Sequence, residues 1–233
     1  MISDRVGAGA GLRAKRTVPS EPIGHGRVQC TCLTSFDLLY APLVSSWIRS
    51  DQELEWLAPG TPPPLTAHKV AAWGESDSNR FLYWREGDDC PGAYGELNRM
   101  PDRSNKMWIG HVIVAPERRG RSYGAEITAA LVNRAFVVHR VEAALLVVFP
   151  ENEGAVRCYR RIGMVAMGRE RKHFKTTQRV HTFLRMGMDD GRFRAMVARG
   201  VLSAQPLPVR SRAIGPAGEG GTSMAAAQSK RNT

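Results

Sequence analysis

The sequence predicts a mixed α and β fold in which helices cover a central sheet, and three observations carry that prediction. Along the middle of the chain, apolar residues recur alternately with a period near two and a period near 3.6. The stretch "VEAALLVVF", ended by Pro150, is an unbroken apolar run of the kind a strand buried on both faces requires. From Val114 to Leu131, "VAPERRGRSYGAEITAAL" leaves a strand, passes Arg118, Arg119, Gly120, Arg121 and Gly124, and enters a helix with almost no polar face.

The elements follow in order. "RVQCTCL" sets Val28, Cys30 and Cys32 on one face of a strand and Gln29 and Thr31 on the other. The period then changes: Phe36, Leu39, Tyr40, Leu43 and Trp47 fall on one helical face, with Thr34, Ser35 and Asp37 available as caps and Pro42 leaving the helix start open. A short helix follows over "DQELEWLA", then the breaker run "PGTPPPL", then a helix over "AHKVAAW" capped by Thr66. "RFLYWRE" and "GAYGELNRM" flank "GDDCPG" as a hairpin, with "MWIGHVIVA" as the third strand beside them. In the next helix Ile127, Leu131, Ala135 and Val138 form a face that Ala129, Val132 and Phe136 widen, so a sheet must cover most of it. After the buried strand, Ala155, Cys158, Tyr159 and Ile162 share a helical face, and Gly163 occupies the C-cap position. "MVAMGRE" and "RVHTFLRMGM" close the domain as alternating strands.

A chain of 233 residues with 42% hydrophobic residues can bury a substantial core. The expected organisation is one domain over 27–190, between a disordered basic extension at 1–26 and a disordered basic tail at 191–233. These two segments hold +8 of the formal +11 and show no sustained period. They cannot bury enough surface to offset their ordering entropy. The +3 left on 27–190 is ordinary for a globular domain, so nucleic-acid binding is expected only through the tails. Cys30, Cys32, Cys90 and Cys158 show neither CxxC pairing nor the density of a disulfide scaffold, and no metal site is expected. No run reaches the roughly 18 apolar residues of a membrane span, and "MISDRVGAGAGLRAKR" lacks the apolar region of a signal peptide. A cytoplasmic protein with no membrane association is therefore expected.

The strand-to-helix junction is where a ligand is expected. A helix N-terminus leaves its first N–H groups unpaired and carries about half a positive charge, so it favours an anion. Gly120 and Gly124 let backbone approach that anion closely, and Arg118, Arg119 and Arg121 add charge. The junction has neither the Lys-Ser/Thr ending of a Walker loop nor the GxGxxG dinucleotide pattern. On these residues alone, phosphate binding and a plain exposed arginine turn both remain open.

"VIVAPERRGRSYGAEITAAL" resembles motif A of the GNAT superfamily of N-acetyltransferases, and "VVFPENEGAVRCYRRIGM" is similar to motif B. The resemblance covers roughly 28–188. It implies the GNAT acyl-CoA N-acyltransferase fold: a central, mostly antiparallel twisted sheet with helices on both faces. It further implies that Arg119, Gly120, Arg121, Ser122, Tyr123 and Gly124 cradle the pyrophosphate of acetyl-CoA. Val112, Ile113 and Val114 then offer main-chain bonds to the pantetheine arm. Ser122 departs from the family pattern, which has glycine there, and a left-handed backbone at a non-glycine costs about 1–2 kcal/mol. Either Ser122 is right-handed or its hydroxyl compensates by bonding phosphate.

The implied reaction is direct attack of a neutral amine on the acetyl thioester, which needs a base for the amine and a proton for the departing thiolate. Tyr159 matches the family tyrosine near the CoA sulfur, and Asn152 the polar residue beside the pantetheine. Relatives carry Glu or His at positions occupied here by Trp108 and Gly110, neither of which accepts a proton. His111 lies out of register with both, so strand alternation sends its side chain to the opposite face, in a structural role. Glu96 in "YGELN" is the remaining carboxylate, with a water relay as its rival. The expected partners are acetyl-CoA and an amine acceptor, a small molecule or a peptide, and a homodimer is compatible with the sequence. Two alternatives stay open: an acetyltransferase of protein N-termini or lysines held near ribosomes or RNA by its tails, and a catalytically weak acyl-CoA-binding domain.

Overall fold

The computed structural model describes residues 30–73, 79–100 and 103–210. Within them the period-two stretches become strands of one sheet: β1 (Cys32–Ser35), β2 (Arg80–Trp84), β3 (Ala93–Met100), β4 (Arg103–Val114), β5 (Ala143–Val148), β6 (Val165–Phe174), β7 (Arg179–Asp189) and β8 (Val209–Arg210). They lie side by side in the order β6-β7-β5-β4-β3-β2-β1-β8. Short connections join β2 to β3, β3 to β4 and β6 to β7, and these pairs are antiparallel. Between β4 and β5 runs the long helix α4 (Tyr123–Val137), a crossover that lets β5 return parallel to β4. The sheet is therefore mostly antiparallel, as expected.

Strand alternation sorts the core into two layers. Phe81, Tyr83, Ala93, Leu97, Met107 and Ile109 pack with Ile127, Leu131 and Ala135 of α4, with α5 (Glu153–Arg161) and with α6 (Asp190–Ala198). Leu82, Trp84 and Tyr94 face the other way, toward Val44 of α1 (Ala41–Ser46), Leu54 of α2 (Asp51–Leu57) and Val70 of α3 (Ala67–Ala71). Helices thus cover both faces. Ser50 caps α2 by accepting from the Glu53 N–H, and Thr66 caps α3 by accepting from the Lys69 N–H. Among the described residues no helix is long and apolar enough to cross a membrane.

Three expectations change. β1 begins at Cys32 and extends through Ser35, so Thr34 and Ser35 are strand residues rather than caps; Val28 and Gln29 lie outside the described residues. The first helix is divided into a 3-10 turn at Leu38–Tyr40, capped by Asp37, and α1, with Pro42 in its first turn. Proline lacks the N–H that a helix interior needs, so the α-helix has to start just before it, and Leu39 is left 58% exposed.

The third change concerns the boundary at 190. Residues 191–210, assigned above to a disordered tail, belong to the fold. Asp189 caps α6 by accepting from the Arg192 N–H at 2.7 Å, and Phe193 stacks on Phe136 of α4 with centroids 4.6 Å apart. α6 sits so close to Gly163 that a Cβ there would come within 2.5 Å of Met196. β8 then pairs with Leu33 and Thr34 of β1. Composition misled because the tail is polar on average, whereas three of its apolar residues, Phe193, Met196 and Leu202, are buried in the core. The extension at 1–26 and residues 211–233 lie outside the described residues.

The Phe193→Ala variant should lose about 3–5 kcal/mol of stability, the usual range for deleting a buried aromatic ring. Urea denaturation measures the loss. A chain ended at Asp190 should melt well below one ended at Arg210; equal midpoints would put 191–210 outside the cooperative unit.

Candidate active site

β4 and β5 are paired only where Lys106, Met107 and Trp108 meet Ala143, Ala144 and Leu145. Beyond that point the strands part. Ile109–Val114 on one side and Leu146–Val148 on the other border an open cleft of about 1050 Å³. The cleft is also lined by Glu96, Gly120, Ser122, Tyr123, Gly124, Asn152 and Tyr159. Of the residues picked out from the sequence, Arg121 alone does not line it; Arg121 is exposed, and its carbonyl accepts from Arg85. A smaller hollow of about 340 Å³ lies beyond Trp56, beside the Glu55–Arg179 ion pair.

The strand-to-helix turn has the backbone that an anion requires. Gly120 and Ser122 are left-handed, with φ of 72° and 69°. Among the described residues, no group accepts the N–H of Gly120, Arg121, Ser122, Tyr123, Gly124 or Ala125; the first paired N–H is that of Glu126, on Ser122 O at 3.0 Å. Six successive donors at a helix N-terminus form a concave positive site. Ser122 is therefore left-handed, and its hydroxyl accepts from Arg161 of α5 at 3.1 Å. This brings a guanidinium to the turn.

Side chains brace the turn from three sides. Arg119 spends its guanidinium on the helical layer: it donates to Glu53 at 2.6 and 3.2 Å, to Trp47 O at 2.8 Å and to Val114 O at 3.2 Å. Burial pushes the Glu53 carboxyl up, but the Arg119 and Arg49 hydrogen bonds hold it below the usual range. Tyr123 donates to the Asp88 carboxylate at 2.9 Å, and its ring lies under Arg85, whose guanidinium is 4.1 Å from the ring centroid. That ring explains Gly92, where a Cβ would lie 2.1 Å from it. Arg85 in turn pairs with Glu126 in the first turn of α4.

Asn152 caps α5, accepting from the Ala155 N–H at 3.2 Å. Tyr159 is buried, and its hydroxyl has no hydrogen-bond partner among the described residues. Burial, with Cys158 beside it, pushes the phenol up, so it stays protonated.

Glu96 is 2% exposed and packed with donors: Oε1 accepts from the Tyr94 hydroxyl at 2.6 Å, and Oε2 from Asn98 at 3.2 Å. His111 Nδ1 lies 3.0 Å from Oε1, off the line of an ideal hydrogen bond. Burial pushes the Glu96 carboxyl up, but His111, Tyr94 and Asn98 outweigh it and hold it below the usual range. His111 was expected on the opposite face, and it is not there. Tyr94 pairs with Ile113 but Glu96 with Gly110, so β4 carries one extra residue, and His111 takes a left-handed φ of 43° in the bulge. The bulge breaks strict alternation and lays the imidazole flat on Trp73, with centroids 4.3 Å apart and planes at 4°. Glu53, Asp88 and Arg161 were also missed. They act across 66, 35 and 39 residues of chain, and no local pattern marks such pairs.

Residues 46–164, just over half of the chain, match the family model described as the acetyltransferase (GNAT) family. The fold is similar to that of spermidine N-acetyltransferase from Vibrio cholerae, solved with CoA and spermine, at 16% identity over 70% of this chain and 98% of that one, with TM-score 0.57. A GNAT family acetyltransferase from Bacillus anthracis matches at 15% identity over 72% of this chain and 98% of that one, with TM-score 0.57. RimJ of Mycobacterium smegmatis, in complex with CoA-disulfide, matches at 17% identity over 77% and 90%, also with TM-score 0.57. At these identities the likeness is one of fold.

Since Glu96 has a lower pKa folded than unfolded, it contributes stability above the unfolded value and loses it as pH falls through the folded one. The Glu96→Gln variant should therefore show a shallower loss of stability between about pH 6 and pH 3 than the wild type. Denaturation midpoints across that range test it; parallel curves would mean that the carboxylate's environment is the same folded and unfolded.

Proposed function

Because the chain belongs to the acetyltransferase (GNAT) family, we propose that it moves an acetyl group from acetyl-CoA to a primary amine by direct attack, the acceptor being a small molecule or a peptide. The observation that carries this reading is the run of unpaired N–H groups from Gly120 to Ala125 at the mouth of the cleft between β4 and β5. They suit a pyrophosphate, with Arg161 adding charge. The extended main chain of Val112, Ile113 and Val114 borders the space that a pantetheine arm would fill, and Asn152 stands opposite on α5. Arg119 serves the turn as a brace to Glu53 rather than as a phosphate ligand.

Tyr159, protonated and without a hydrogen-bond partner among the described residues, is suited to give its proton to the departing thiolate. Glu96 supplies the negative charge beside the amine. The aromatic rings of Trp56, Trp73, Phe174 and Phe183 line the same cleft and support an acceptor that carries its amine on an apolar or aromatic body.

Acetyl-CoA turnover across alkyl and aryl amines, polyamines, aminoglycosides and peptides tests the activity. No thiol release with any of them would count against it. A Cβ at Gly124 meets Val114 and Cys158 at 3.5 and 3.6 Å, ordinary contacts, so Gly124→Val should keep the fold while crowding the turn. Calorimetry should show weakened acetyl-CoA binding; unchanged affinity would remove the turn from the cofactor site. Tyr159→Phe should lower turnover by about 10²–10⁴-fold with little change in acetyl-CoA affinity. Unchanged turnover under chemistry-limited conditions would return Tyr159 to a packing role.

A further inference from the structure

We propose that His111 Nε2, rather than Glu96, takes the proton from the acceptor amine, and that Glu96 is a positioning residue acting through it. The assignment rests on the acetyltransferase reading above. Glu96 is poorly placed to act directly. Its side chain is 3% exposed, and its oxygens face Tyr94, Asn98 and His111, so a proton taken by Glu96 would weaken the acceptor that these groups surround. His111 differs on both counts. Its side chain is 28% exposed and lines the cleft, and Nδ1 alone lies beside Glu96, 3.0 Å from Oε1. Nε2 makes no hydrogen bond to any described residue.

The ring is held as a proton-accepting imidazole should be. Glu96 Oε1, 3.0 Å from Nδ1 though off the line of an ideal hydrogen bond, favours the Nδ1–H tautomer, which leaves the Nε2 lone pair open, and it balances the imidazolium once formed. Trp73 covers one ring face, and Arg80 anchors Trp73 by donating to its carbonyl at 2.7 Å. The left-handed backbone at His111 is a local strain that this packing sustains. The other titratable or charged groups near the ring are Tyr94 beside Glu96, Arg80 behind Tyr94, and Lys172 of β6, which lines the same cleft.

The step balances. The ammonium R–NH₃⁺ gives one proton to Nε2, and the freed lone pair forms the C–N bond at the thioester carbon. The C–S bond breaks, and the thiolate takes the Tyr159 proton, which the second amine proton replaces. His111 returns its proton to solvent. The sum is amide, CoA thiol and one proton from ammonium and acetyl-CoA.

The test compares pH–rate profiles of wild type, His111→Asn and Glu96→Gln with phenethylamine and glycinamide as acceptors. These differ in amine basicity, so the acidic limb that stays fixed between them belongs to the protein. Asparagine is chosen because it tolerates a left-handed backbone. Expected for His111→Asn is loss of that limb and about a 10²–10⁴-fold fall in turnover, with acetyl-CoA affinity by calorimetry unchanged. In Glu96→Gln the limb should persist, because Nε2 still takes the proton, while turnover falls because the ring has lost the carboxylate that orients it. The reverse pattern, a limb lost in Glu96→Gln and kept in His111→Asn, overturns the proposal. Nitrogen-15 NMR of histidine-labelled wild type gives a second readout that needs no turnover: the Nδ1–H tautomer is expected, and the Nε2–H tautomer overturns it. Wild type that acetylates neither amine, nor any in the wider panel, counts against the acetyltransferase reading. Wild-type turnover with an unaltered His111→Asn profile removes His111 alone.

Discussion

Where β4 and β5 stop pairing, after Trp108 and Leu145, two parallel strands with free inner edges open into a wedge. An unpaired strand edge inside a protein is costly unless something bonds it, and here the wedge is the wall of the cleft. The same divergence sets the direction in which β4 ends, and so where its turn and the first N–H groups of α4 point. Strand edges and helix terminus therefore address one space. A ligand long enough to bond strand backbone at one end and carry an anion at the other suits both.

A turn whose six N–H groups have no partners among the described residues cannot hold its own shape, because its polar groups are reserved. The surroundings hold it instead: Arg119 reaches Glu53 of α2, Tyr123 reaches Asp88 in the β2–β3 connection, Arg85 pairs with Glu126, and Arg161 of α5 meets Ser122. Exposed ion pairs contribute little to stability singly, about 0–1 kcal/mol. Their work here is geometric, fixing one loop against elements from three parts of the chain. Ser122 shows the consequence, since a non-glycine is held left-handed where the backbone must curve around an anion.

The other end of the cleft depends on one inserted residue. Continued from the Glu96–Gly110 pair, a regular ladder would set His111 opposite Gly95 on the α4 face, away from Glu96. The bulge turns it to the Trp73 side, where Nδ1 lies 3.0 Å from a carboxylate that is only 2% exposed.

The sequence by itself determined the alternation of strands and helices, the caps Thr66 and Asp37, the buried β5, and the glycines at 120 and 124 that let backbone approach a ligand. Those features are local: periodicity, capping chemistry and glycine placement act over a turn or a strand. Tertiary structure alone decided the rest. α6 is too weakly amphipathic to announce itself, and it exists because Phe136 and Gly163 give Phe193 and Met196 a place to dock. Arg119 reads as a phosphate ligand until Glu53 and Trp47 are brought beside it. His111 reads as facing away until the pairing of β3 with β4 inserts the bulge. Register between strands is a property of two segments at once, and no single segment encodes it.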